Sequence, residues 1–326
     1  GQLNGVGQQS SGTRFTFASP GSFEGAGAIG AQVVGSAGSV ITATGDLDLG
    51  LANNSVGFSS SGELHVGAHT VRLFDSNAVQ LGSMTSIAGG ALRTQGGLLP
   101  TFQLGSGDVL SGFGDVDGDV NGSAGSTITA TGALSLGRAS SSLGFNHSGG
   151  LNVNSHTVTL RDSSAAALGA DTFLDGGTLV AANGLDLGSG DTLRGHGTID
   201  ADVSNSGTIL AQNTGLTFNG VVNGAGVSAS GSRFTFGSTG GFTGDGLIDA
   251  EINGAANSVI TATGDLTMGK FGTANGFFTL GELHVGGGLR VERRPDLRHE
   301  PGAVAELHEL RARHVLFAGP GEELPR

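Results

Sequence analysis

The sequence contains no cysteine, tryptophan or tyrosine, and Lys270 is its only lysine. Without cysteine the chain has no disulfide bond, no thiolate nucleophile and no cysteine-based zinc site. No run of 18 apolar residues occurs, so we expect no membrane-spanning segment. The formal net charge is −13. So few cationic side chains disfavour nucleic acids, because phosphate backbones are bound mainly by lysine and arginine.

Glycine is abundant instead, with 63 residues, and the glycines recur in a pattern. The segment SVITATGDLDLG begins at Ser39, and it returns as STITATGALSLG at Ser126 and as SVITATGDLTMG at Ser258. Residues 1–67 also align without a gap with residues 220–286, and more than half of the positions are identical. Repetition of this kind is typical of a chain built from stacked copies of one structural unit.

The repeating unit is best seen in GTIDADVSNSGTILAQNTGLTFNG at 197–220. Apolar and polar residues alternate in three short runs, which predicts three β-strands with one apolar face each. Asn and Gly separate the runs, and both residues favour turns. Four copies of a shorter motif have apolar anchors whose spacings are near multiples of about 22 residues; these anchors are Ile29, Val116, Ile199 and Ile248.

Such a unit is too short to bury its apolar face alone, so copies must stack and form hydrogen bonds from coil to coil. The fold class predicted for residues 1–286 is therefore all-β, a right-handed parallel β-helix (a solenoid) of about 13 coils. Within the opening repeat we expect Ile41 and Leu47 to face the interior, with Thr42 and Asp48 facing outward.

Residues 287–326 have a different composition, in which Gly and Ser become rare and Arg, Glu and His become frequent. We treat them as a separate, irregular or partly helical tail with two interpretations. The tail is either a repeat whose reading frame was disturbed, as the repeat-like GPGEEL at 319–324 suggests, or a cap or hinge with a short helix over 303–316. The gene sequence read in all frames distinguishes the two.

The segments LRGHGTIDADVSNSGTILAQ (193–212) and LGSGDVLSGFGDVDGDV (104–120) resemble the repeats of bacterial extracellular β-helix proteins. These include autotransporter passenger domains and filamentous-haemagglutinin-like adhesins. The resemblance covers about residues 1–286. It implies an extracellular or bacterial cell-surface location, with host or cell-surface glycans or proteins as partners. We also expect flanking parts of a larger chain, because exposed end coils would pair with other strand edges.

One segment, GDVDGDVNGS at 114–123, places Asp115, Asp117 and Asp119 at alternate positions. Calcium is bound by several converging oxygen atoms, so these three aspartates are the candidate metal site, with Ca²⁺ as the candidate ion. The alternative is an outward-facing acidic strip that only keeps the strand solvated. Val116 supports the alternative, because it aligns with an apolar anchor of the other copies.

Other chemical motifs are weaker. GAGAIG at 25–30 matches a dinucleotide fingerprint, but no helix pattern follows it, as that site requires. The outward TAT segments occur on too few coils for an ice-binding face. The six histidines of residues 1–286 form no ligand pattern, and we assign them to surface or turn positions; they are His65, His69, His147, His156, His196 and His284.

The predicted function is that of a non-catalytic stalk or adhesive passenger segment with no catalytic residues and no cofactor. The alternative is a carbohydrate-active β-helix enzyme, a polysaccharide lyase or hydrolase. Such an enzyme needs carboxylates and cationic side chains clustered at one cleft, usually with aromatic walls. The sequence disfavours it because the carboxylates follow the repeat, and Trp and Tyr are absent.

Overall fold

The computed structural model describes residues 2–51, 57–95, 101–270, 276–291 and 315–317. Over these residues the chain is all-β and forms a parallel β-solenoid of about 14 turns, without a helix. The predicted all-β fold of stacked parallel coils is therefore confirmed, whereas its right-handed sense stays a prediction. In the described part of the chain there is accordingly no apolar helix long enough to cross a membrane.

The chain divides into two compact units. Unit 1 comprises Gly1–Phe173 and Gly177–Asn183, and unit 2 comprises Leu174–Gly176 and Gly184–Arg326. The strands in the first part of the chain are β1 (Gln2–Phe17), β2 (Ser22–Gly35), β3 (Val40–Gly50), β4 (Phe58–Ser60), β5 (Glu63–Gly67), β6 (Thr70–Phe74), β7 (Val79–Leu81), β8 (Met84–Gln95), β9 (Thr101–Leu104), β10 (Val109–Asp117), β11 (Asp119–Gly122), β12 (Thr127–Gly137), β13 (Phe145–His147), β14 (Gly150–Asn154), β15 (Thr157–Arg161), β16 (Ala166–Leu168) and β17 (Asp171–Ala181).

The remaining strands belong to unit 2. They are β18 (Leu185–Leu187), β19 (Thr192–Asp200), β20 (Val203–Asn205), β21 (Thr208–Phe218), β22 (Val221–Phe236), β23 (Gly241–Gly254), β24 (Val259–Met268), β25 (Phe277–Thr279), β26 (Glu282–Val285), β27 (Leu289–Val291) and β28 (Val315–Phe317).

Strands of successive coils pair in parallel at every described register. The shortest separation joins Thr192 to Thr208, and a long one joins Met84 to Val109. The sequence repeat of about 22 residues lies between these two separations. Coils of unequal length still align their strands, because the extra residues lie in the turns between strands.

A single coil contains three strands, as the sequence predicts. In unit 1 one coil runs through β5, β6 and β7, and each of these strands belongs to one of three parallel sheets, which we call the first, second and third sheets. In the next coil β8 passes from the first sheet to the second without a break. Gly89 lies at that corner with φ of +91°, a conformation that other L-residues rarely adopt.

The interior is apolar and is filled by alternate residues of each strand. Ile41, Leu47 and Leu49 are at most 1% exposed, while Thr42 and Asp48 lie at the surface and are half-buried. This confirms the inward and outward faces predicted for the opening repeat. The largest fully buried side chains are phenylalanines, at positions 23, 58, 102, 145, 218, 234, 236 and 242.

Strand pairing continues beyond residue 286. Strand β27 pairs with Leu266–Met268, and β28 pairs with Leu283–Val285. The predicted helix over 303–316 falls mostly on residues 303–314, which lie outside the described residues, and Val315 belongs to strand β28. GPGEEL at 319–324 also lies outside them.

Candidate functional site

Outward side chains of this fold form columns, because strands of successive coils are in register and lie about 4.8 Å apart. On the first sheet of unit 1 the column is polar over eight coils; it consists of Asn4, Glu24, Thr42, His65, Ser86, Ser111, Thr129 and Asn152. Neighbours within it form hydrogen bonds: His65 Nδ1 lies 2.7 Å from Ser86 Oγ, and Asn152 donates to Thr129 Oγ1 at 3.2 Å.

The second sheet of unit 1 carries a different column, here called the charged column, formed by Asp48, Arg72, Arg93 and Asp117 on four successive coils. Arg72 Nη1 donates to Asp48 Oδ1 at 3.0 Å. Arg93 is exposed, and it makes no hydrogen bond or ion pair with the residues that the structure describes. The column thus places two arginines side by side, with an aspartate at each end.

Two further arginines extend toward this column from later coils. Arg161 pairs in register with Gly137, and its guanidinium reaches one coil further to Asp115 Oδ1 at 2.6 Å and to the Val116 carbonyl at 2.9 Å. Arg138 Nη2 lies 3.4 Å from Thr94 Oγ1. Thr94 directly follows Arg93 in the chain.

The three aspartates of the candidate metal site do not share one face. Asp115 and Asp117 face outward on the second sheet, and Asp115 is engaged by Arg161. Asp119 is only 2% exposed and accepts a hydrogen bond from Ser141 Oγ at 3.0 Å. The predicted acidic strip is therefore wrong at Asp119, because the chain bends at Gly118 from β10 into β11.

No group of three or more His, Cys, Asp or Glu side chains is placed to hold a metal ion among the described residues. Engagement of Asp115 by Arg161 also removes one candidate oxygen ligand from the set. Calcium binding at Asp115, Asp117 and Asp119 stays a prediction, and no contact in the structure supports it.

Of the six histidines in residues 1–286, five lie at half-buried surface or turn positions, as predicted. His147 is the exception, with 1% exposure. Its Nε2 lies 3.1 Å from Ser126 Oγ, and its Nδ1 has no partner in the described part of the chain. Burial lowers the pKa of His147 from 6.5 to about 4, so this side chain is neutral at pH 7.

Sequence reasoning also missed two buried aspartates. Asp75 Oδ2 accepts hydrogen bonds from the backbone amides of Gly57 and Phe58 at 2.7 and 3.1 Å, and Asp162 Oδ2 accepts one from Phe145 at 2.9 Å. They join the end of one coil to the third sheet of the coil before it. The signal was the Asp-Ser pair that follows β6 and β15 in both copies of the repeat.

Unit 2 has a shallow polar groove along its outward surface. Ser204, Asn223 and Thr243 line it, one from each of three successive coils. The groove contains neither an acidic nor a basic side chain. It therefore lacks the groups that general acid–base chemistry requires.

No family model, curated protein or solved structure matches this chain in the three comparisons made. The function must therefore be argued from the residues themselves. The charged column places two arginines of successive coils side by side between two aspartates, and we take it as the candidate functional site.

Proposed function

We propose that this chain is a non-catalytic structural or adhesive segment of a bacterial surface-exposed or secreted protein. The observation that carries the proposal is the column arrangement of the outward side chains. A repeated surface of this kind presents similar groups coil after coil, which suits extended contact with another surface. It differs from an enzyme cleft, in which a few unlike groups converge on one substrate.

A parallel solenoid is also suited to bearing load, because each coil is held to its neighbours by backbone hydrogen bonds and by a continuous apolar interior. In the described residues, side chains add further hydrogen bonds between coils. Asp75 and Asp162, for example, accept hydrogen bonds from backbone amides of another coil. Repeated coils therefore provide length and stiffness without any ligand.

The location follows from the resemblance of the repeats to bacterial extracellular β-helix proteins, and it is part of the proposal. The absence of cysteine agrees with it, since the chain needs no particular redox compartment to fold. Host or cell-surface glycans or proteins are the partners that an adhesive segment would contact.

The test measures two things separately, the adhesion of a bacterium that displays the chain and the cleavage of polysaccharides by the purified chain. The chain displayed on a non-adherent bacterium is expected to increase attachment to glycan-coated surfaces relative to the same bacterium without it. The purified chain is expected to release no reducing ends and no unsaturated uronic acids from a panel of acidic polysaccharides. If the displaying bacterium attached to none of the surfaces, the adhesive role would be excluded and only the structural role would remain.

Turnover would favour the carbohydrate-active alternative, and the charged column is where such chemistry would lie, because Asp117 and Arg93 are adjacent there. Turnover that is abolished by Asp117→Asn, but not by Asp186→Asn in unit 2, would overturn the non-catalytic proposal. Asp186 is a suitable control because it lies outward in β18, far along the sequence from the column.

A further inference from the structure

From the charged column we infer a binding site for an acidic sugar, in which Arg72 and Arg93 hold the carboxylate of a glycan. This deepens the adhesive role proposed above and rests on it. The site lies on the second sheet of unit 1, and the coils that contribute the two arginines are adjacent and in register.

The arginines of unit 1 are unevenly distributed. Unit 1 contains five arginines and no lysine, although the chain as a whole is acidic. Four of these arginines lie on the second sheet or at its end; they are Arg72, Arg93, Arg138 and Arg161. Cations are thus concentrated on one side of an otherwise acidic unit.

Two like charges lie next to each other in the charged column. Arg72 and Arg93 are direct cross-strand neighbours, and like charges in that arrangement are destabilising. Arg72 is compensated by an ion pair with Asp48 at 3.0 Å. Arg93 has Asp117 as its other cross-strand neighbour, but Arg93 is exposed and makes no hydrogen bond or ion pair with the described residues. An anion seated between the two guanidinium groups removes the repulsion and satisfies the free hydrogen-bond donors of Arg93.

The residues that flank the two arginines select the kind of anion. Asp48 and Asp117 flank the arginine pair along the column. A polyphosphate lying along the column would bring its next phosphates against these carboxylates. A sugar acid instead offers one carboxylate to the arginines, and its hydroxyl groups donate to the aspartates on either side.

The neighbouring outward residues suit a sugar ring. Phe74 and Gln95 lie next to the arginines, two residues further along their strands, and they pair with each other in register. Phe74 is half-buried and presents part of an apolar ring, while the Gln95 amide is exposed and offers both donors and an acceptor. An aromatic surface, an amide and an arginine pair together match a carboxylated glycan better than a peptide or a nucleic acid.

The experiment titrates the intact chain with two carboxylated probes, a galacturonic acid trisaccharide and α2,3-sialyllactose, by isothermal titration calorimetry. The neutral controls are the methyl ester of the trisaccharide and lactose. At least one acid is expected to bind and its neutral counterpart to bind at least about tenfold more weakly, because a hydrogen-bonded carboxylate is lost. Equal binding of acid and neutral control, or no binding of either acid, would overturn the inference.

Variants locate the site. Arg93→Gln is expected to weaken binding about tenfold or more, and Arg93→Lys to weaken it less, because lysine keeps the charge but loses the bidentate geometry. The matched control is Arg233→Gln in unit 2, where Arg233 is exposed and paired with Glu251 at 2.9 Å; it is expected to leave binding unchanged. Circular dichroism of each variant verifies that the fold is intact.

The remaining outcomes separate this inference from the proposed function. Binding by Arg93→Gln at the wild-type level would place the ligand elsewhere and overturn the inference, while leaving the adhesive role open to test by surface display. Tighter binding of double-stranded DNA than of either sugar, with a steep dependence on salt, would identify a polyanion surface and also overturn it. Turnover of the bound trisaccharide would overturn the proposed non-catalytic function, but it would support the binding site for an acidic sugar.

Discussion

Two segments of unit 1, residues 39–75 (the first copy) and residues 126–162 (the second copy), form the same local structure wherever both are described, which leaves out residues 52–56 and their counterparts. Both begin with a serine that is fully buried, Ser39 or Ser126, and both end with a buried aspartate that accepts backbone amide hydrogens. The copies differ at one buried position of the third sheet, where the first has a small hydroxyl residue and the second has His147. The backbone is thus shared while the buried polar network is not.

The difference shows that one coil of the solenoid accepts different polar side chains at the same buried position. In the first copy Ser60 Oγ accepts a hydrogen bond from the Gly62 amide at 3.0 Å. The serine hydroxyl therefore pairs with a backbone amide of the turn that follows it. In the second copy the His147 ring reaches Ser126, which donates to the Ser123 carbonyl at 2.6 Å. The histidine gains one partner and leaves Nδ1 without one in the described part of the chain.

The largest expected effect tests what the copies share. Phe58 and Phe145 occupy equivalent interior positions, each 1% exposed. Replacing either phenylalanine by alanine is expected to lower the free energy of unfolding by about 3–5 kcal/mol, because each leaves a cavity in the same kind of interior. Chemical denaturation of F58A and F145A measures both values. A difference between them of more than about 2 kcal/mol would show that the two interiors are not equivalent.

The shared features were predictable from the sequence, because they rest on periodicity. Alternation places Ile41 and Leu47 inside, and the recurrence of the unit predicts parallel stacking. Turn lengths were less predictable, because a coil is free to add residues at a corner without altering the register of its strands. The pairing of Met84 with Val109 shows how far one coil departs from the mean repeat.

The candidate site was not predictable in the same way. Asp48, Arg72 and Arg93 lie far apart in the sequence, and only the register brings them into one column. The sequence instead drew attention to Asp115, Asp117 and Asp119, whose regular spacing is interrupted by the bend at Gly118. His147 was assigned to the surface because histidine is usually exposed or half-buried, and only the packing of β13 shows that its ring is enclosed.

The next effect concerns pH and is confined to the second copy. Burial lowers the pKa of His147 to about 4 in the folded chain, against an ordinary value of 6.5. The unfolded chain therefore takes up a proton as pH falls below 6.5, while the folded chain stays neutral at this residue until about pH 4. The stability that this histidine contributes is full above pH 6.5 and is lost as pH falls toward 4, by about 3 kcal/mol in total.

The variant His147→Thr isolates this effect, since Thr279 occupies the equivalent position near the third copy of the repeat. Unfolding free energies of wild type and variant are measured between pH 7 and pH 5. The wild type is expected to lose more stability over that interval than the variant, because the variant has no imidazole to protonate. Parallel pH curves for the two chains would show that His147 is not shielded from solvent as described.

The smallest expected effect distinguishes the two buried serines. Ser39 Oγ has no hydrogen-bond partner among the described residues, so Ser39→Ala removes an unsatisfied group and is expected to change the free energy of unfolding by less than about 0.5 kcal/mol. Ser126 Oγ joins His147 to the Ser123 carbonyl, so Ser126→Ala is expected to cost about 1–2 kcal/mol by leaving the imidazole unpaired. In the background of His147→Thr that cost should shrink, because no ring remains to be satisfied. A double-mutant cycle measures the coupling, and a coupling energy of zero would mean that the 3.1 Å contact between Ser126 and His147 contributes nothing to stability.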